Sequence, residues 1–158
     1  MTRRLRAGGI AGWGAAAVLA CGAALAETFQ VDDSRSQVLD SNVRMQWESL
    51  APGRGRSNLI VGQTTVIVRL DVEPWQGRRG RIFMLLPARA EAPVEARWTA
   101  RGPLQPGTLR SGERATVFAG SITSALIEDT LVIRITTDGD SLERNESLEF
   151  SFEIEVDP

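Results

Sequence analysis

The chain has no histidine, no tyrosine and no lysine, and its one cysteine is Cys21. Each absence removes a chemistry. Without His there is no general base poised near neutral pH, and neither a Ser-His-Asp triad nor a Cys-His pair can be built. Without Lys there is no Schiff-base amine, and beyond residue 26 there is no thiolate, no disulfide and no His or Cys ligand for zinc. Carboxylates, hydroxyls and Arg remain. They leave one enzymatic reading open, a carboxylate-pair hydrolase of the glycosidase type, but with 20 acids in the chain that opening selects nothing. No catalytic residue, metal ligand or cofactor is therefore nominated.

What is present first is a leader. Arg3, Arg4 and Arg6 form a cationic start, Ala7 to Ala20 is an apolar run of mostly Ala and Gly, and Ala24-Leu25-Ala26 sets small residues at alternate positions. Residues 1–26 therefore read as a cleaved signal peptide, with Glu27 opening a mature chain that is periplasmic, secreted or held at the cell surface. Val18-Leu19-Ala20-Cys21 offers an alternative, a lipoprotein anchored at Cys21. Against it, the residues after Cys21 stay apolar where a tether would turn polar. No membrane span is expected in the mature chain.

The remaining 132 residues suffice for one domain with its own core. Their 15 Arg and 20 acids give a net charge of −5, unsuited to nucleic acid. From Asn42 onward apolar residues recur at every second position in short runs punctuated by Gly and Pro. Val43, Met45 and Trp47 share a face, as do Val66, Val68, Leu70 and Val72. Val94, Ala96 and Trp98 repeat the pattern, and so do Leu131, Ile133 and Ile135. Ile82 to Leu86 is apolar on both faces, which predicts a central strand, and Arg114 to Ala119 is another short run. The last strand sets Leu148, Phe150, Phe152, Ile154 and Val156 against Ser147, Glu149, Ser151, Glu153 and Glu155, and a one-residue slip would bury glutamates. Trp47 and Trp98 both read as core. The one helical candidate is a turn around Ser124 to Asp129. About seven strands at this spacing predict an all-β, antiparallel, immunoglobulin-like β-sandwich over residues 42–158, with a small β-barrel as the alternative. Residues 27–41 read as a polar N-terminal arm or an edge strand.

Two features invite a binding role. Glu73 to Arg81 places Trp75 beside Arg78, Arg79 and Arg81, a mixture suited to stacking on a sugar ring or gripping an anionic glycan or a partner's carboxylate. Its structural counterpart is a connection whose Trp folds back over the core. Charge is also segregated along the chain, +6 over residues 54–114 and −8 over residues 115–158. This predicts either Arg-bearing strands pairing with the Glu-bearing last strand or two opposite ends that favour association. Asp138-Gly139-Asp140 fails as a calcium loop at Leu142 and Glu143 and reads as a turn. Asn145 in Glu143-Arg144-Asn145-Glu146-Ser147 sits in a glycosylation-like motif too short to carry weight.

The expectation is an exported, non-catalytic module acting through protein contacts, a structural or fimbrial-type assembly subunit or one that self-associates. A surface-glycan or carbohydrate binder using the Trp75 loop is the alternative.

Overall fold

Period-two alternation in this chain produces strands that are wet on one side and dry on the other, and two such sheets stack on their dry sides. The computed structural model describes residues 27–40, 43–49, 58–88, 93–140 and 148–158. Ten strands run through them: β1 (Glu27–Gln30), β2 (Gln37–Val38), β3 (Gln46–Trp47), β4 (Leu59–Asp71), β5 (Arg79–Leu85), β6 (Glu95–Ala100), β7 (Gly107–Arg110), β8 (Arg114–Ser121), β9 (Leu126–Asp138) and β10 (Ser151–Val156). All pairings are antiparallel. One sheet runs β1-β10-β5-β8; the other runs β2-β4-β9-β6-β7, with β3 also on β4. The described residues form two open sheets, a β-sandwich-like arrangement with no closed barrel and no α-helix.

One core lies between the sheets. Ile82, Met84, Val117, Phe152, Ile154 and Val156 come from the four-stranded sheet, and Val68, Leu70, Trp98, Leu109, Leu131 and Ile133 from the six-stranded one. Each such side chain, taken fully out of water, contributes roughly 1.5–3 kcal/mol. β5 is central, between β10 and β8, as its two-sided apolar run predicts. A bulge between Ile82 and Phe83 admits Val117 as an extra inward residue of β8, which breaks that strand's alternation. Trp98 is sealed in the core with its indole Nε1 donating to the Gln105 carbonyl at 2.8 Å. Its cross-strand partner is Gly107, where a Cβ would stand 2.6 Å from the ring.

Several expectations are corrected. The described residues do not close into the small barrel. The strand count rises from about seven to ten because β1, β2 and β7 are too short, at four, two and four residues, to show a period. Ser124 to Asp129 is not a helical turn: a bend at Ser124 and Ala125 leads straight into β9. Trp47 is 46% exposed, although it lies in the inward phase, because it pairs with Ile60 at the far end of β4 and rests over Gly139. β10 begins at Ser151 rather than Leu148, so Phe150 is half-buried while Phe152 is fully inside.

Residues 27–40 join the two sheets. β1 pairs with β10, Val31 enters the core, Asp32 bridges to Asp71, and β2 lies along β4.

Candidate functional site

The Trp75 loop is built by its own sequence. Val72 is buried in the core, Pro74 supplies a fixed φ, and Glu73–Trp75 make one 3-10 turn whose first amide is held by the Asp71 carboxylate at 3.2 Å. Gly77 takes φ 86°, a conformation glycine adopts without strain, and lets the chain reverse into β5. Two backbone bonds, Gly77 N–H to Ile122 and Ile122 N–H to Arg78, tie the loop to the segment after β8. The Gln76 amide adds a third tie, donating to the Thr123 carbonyl.

Within this frame Trp75 is half-buried and packs against the core, its ring 5.7 Å from Phe29 at 40°. Phe29 lies on β1, so the Trp covers the point where the N-terminal strand joins the sheet. The arginines go elsewhere. Arg78 donates to the Asp157 carbonyl at 2.9 Å, Arg79 stands 4.0 Å from the Asp157 carboxylate, and Arg81 bonds Glu155 at 3.0 Å. Among the described residues no guanidinium lies over Trp75; the two that meet a ring, Arg81 and Arg114, flank Phe83 at 5.8 and 4.3 Å. The four residues share a segment without converging on one ligand position.

The segregated charges meet across the sheets. Arg114 of β8 reaches Glu155 of β10 at 2.8 Å and Glu153 at 3.9 Å, over β5 between them. With Arg81 they roof Phe83, which points to the solvent side of its sheet yet is only 8% exposed. In the other sheet Arg69 pairs with Glu128 and Arg134 with Glu48. In these pairs Arg-bearing and Glu-bearing strands meet within one molecule.

Sequence reasoning missed the most connected polar side chain. Asp129 faces inward on β9, 4% exposed, and its carboxylate accepts from the amides of Thr130 (2.6 Å), Gly102 (2.7 Å), Leu104 (2.8 Å) and Arg101 (3.1 Å). The signal was available, an acid in phase with Ile127, Leu131 and Ile133. Its chemistry is that of a staple: four donors leave little capacity for a ligand. Thr64 and Thr137, the other buried polar side chains among the described residues, bond the carbonyls of Asp40 and Pro93. Asp138 accepts from the Asp140 amide, forming the turn, and Asp140 accepts from Asn58; Glu143, Asn145 and Glu146 lie outside the described residues. No trio of acids converges on a metal position among the described residues.

No family model, curated protein or solved structure matches the chain. Function rests on the residues.

Proposed function

We propose that the chain is an exported, non-catalytic β-sandwich module of immunoglobulin-like type that works through protein contacts at the open edge of its four-stranded sheet. The observation that carries this is β1. It is four residues long, every side chain on it is exposed, and it holds the sheet edge by backbone pairing with β10, by the contact of Phe29 with Trp75 and by the next residue, Val31, in the core. Along its outer side no hydrogen bond reaches another described segment, so the edge offers unpaired donors and acceptors to a second strand.

Topology supports the immunoglobulin-like reading. The order β2/β3-β4-β9-β6 parallels A-B-E-D, and β5-β10 parallels C-F, with β1 standing in the place of strand G. β8 departs from it, since it follows β6 in the chain yet flanks β5. Export is supported by the leader. Residues 1–26 lie outside the described residues, and Glu27, the expected first mature residue, opens β1. No described helix is long and apolar enough to cross a membrane.

The test is cross-linking of the chain in exporting cells, beside Thr28→Lys/Gln30→Lys, which places two charges on the edge strand. Adducts of defined mass that fall away in the variant support the reading. A chain that stays monomeric and uncross-linked, or adducts indifferent to the lysines, sinks it. Intact mass should begin at Glu27; an unprocessed chain, or one acylated at Cys21, would overturn the export assignment.

A further inference from the structure

The solvent face of the six-stranded sheet carries an arrangement that folding alone disfavours. Arg134 of β9 and Arg97 of β6 are direct cross-strand partners, both exposed, and like charges so placed destabilise a sheet. The same row continues through Gln63 of β4, the partner of Arg134, and ends at Thr108 of β7, the partner of Arg97. Arg44, just before β3, lines one groove with Gln63, Gln46 and Arg134; Val61 and Gly62 also line it, and its volume is about 460 Å³. Arg97 and Arg134 are register partners and Arg44 lines the same groove as Arg134, so the three arginines span about three strand spacings, roughly 14 Å.

The acids nearby use little of this capacity. Glu48 takes one Nη of Arg134 at 3.1 Å, and Glu95 stands 3.9 Å from Arg97 while bonding Arg110 at 3.2 Å. Asp40 lines the groove and closes one side of it to an anion. Among the described residues no hydrogen bond or ion pair reaches the Arg44 guanidinium, and the Arg97 side chain is 69% exposed. Each retains a donor fork matched to a carboxylate.

We propose that this row is a binding site for an acidic polysaccharide, with one uronate carboxylate seated between Arg44 and Arg134 and the next toward Arg97. The hydroxyls of the sugar rings are met by Gln46, Gln63 and Thr108, groups that both donate and accept. An acidic peptide fits less well because, apart from Val61 and Gly62, the groove is lined by the polar and charged Asp40, Arg44, Gln46, Gln63 and Arg134. A nucleic acid fits less well because no exposed aromatic ring lies along the row for base stacking, and the chain's net charge is −2. This site is separate from the β1 edge and stands or falls independently of it.

The experiment titrates the full chain with oligogalacturonate by calorimetry and by chemical-shift mapping, at low salt and at physiological salt. Fully methyl-esterified oligomer, polyglutamate and a single-stranded oligonucleotide are run alongside. Oligogalacturonate should saturate, its shifts should fall on β4, β6 and β9, and the methyl ester should not bind. Arg97→Gln/Arg134→Gln should weaken binding by at least about tenfold through loss of charge-assisted bonds. The same variant should melt within a few degrees of the parent, and Arg78→Gln/Arg79→Gln should bind as the parent does. No saturation, equal binding by polyglutamate or the oligonucleotide, or indifference to the Arg97/Arg134 pair would overturn the proposal.

Discussion

The Asp129 carboxylate holds the turn at residues 101–104 in place, and replacing it would strand the Leu104 amide in an environment without water. Asp129→Asn is therefore expected to cost about 2–3 kcal/mol, whereas Glu128→Gln, one residue away on the wet face, should shift stability by no more than ~0.5 kcal/mol beyond its exposed pair with Arg69. Urea melts of the two variants check this, and equal losses would contradict the inward placement. A second residue-scale expectation concerns pH. Burial raises the Asp33 carboxyl above its ordinary 3.8; its own backbone N–H opposes this and the Asp32 carboxylate adds to it. A carboxyl raised in the folded state costs stability above its folded pKa, and the cost disappears as pH falls below the unfolded value. Asp33→Asn should accordingly raise the melting temperature at neutral pH, and the gain should vanish below pH 3.8. Asp32, lowered first by the hydroxyl and amide of Ser34, has the opposite sign, contributing stability that is lost in acid. The two tryptophans show what a single residue's phase conveys. Alternation assigned both Trp47 and Trp98 to the inward side correctly, but whether anything covers that side is decided by the other sheet, which no local pattern encodes.

At the scale of elements, strands lying in a run long enough to show a period were legible, even where, as in β3, only two residues pair, and β1, β2 and β7 were not. β4, β9 and β10 follow their predicted faces, with Phe152 opposite Met84 and Ile154 opposite Ile82. Phe152→Ala should cost about 3–5 kcal/mol, and Phe150→Ala, half-buried, about half that. β8 was only partly legible because the bulge at Val117 adds a residue and shifts the phase. The region around Ser124 to Asp129 enters β9 at Leu126 instead of turning as a helix, and the staple that Asp129 makes depends on a turn 25 or more residues away in sequence. The Trp75 loop belongs to this scale as well. Its spacing of Trp and Arg resembles a recognition tip, but the 3-10 turn directs the ring onto Phe29, and the C-terminal strand holds the arginines. Trp75→Ala should therefore lower stability by about 2 kcal/mol, the cost of a partly filled cavity. A thermal melt unchanged by this substitution would restore the loop as a free platform.

At the scale of the whole molecule, the linear charge segregation was legible and its resolution was not, because which strands become neighbours is set by long-range pairing. Folding brings Arg81 and Arg114 to Glu155, whose side chain is only 13% exposed, so part of the opposite charge of the two halves is paired within one sheet. The segment joining the sheets matters more. It was read as an arm or an edge strand because it carries few large apolar groups, yet Val31 is 1% exposed and β1 covers β10, whose Ile154 and Val156 lie in the core. A chain lacking residues 27–31 loses the Val31 burial, roughly 1.5–3 kcal/mol, together with the β1 pairing. It also bares the backbone edge of β10, and a bare edge strand is a template for another chain. Two effects should therefore appear together: a lower melting temperature, and self-association that rises with protein concentration in light scattering. Val31→Ala should reproduce the first effect without the second, because it empties the seat while leaving the edge paired. If the deletion destabilises without associating, β10 is guarded by something other than β1, and the sheet edge ceases to be the place where this molecule meets its partners.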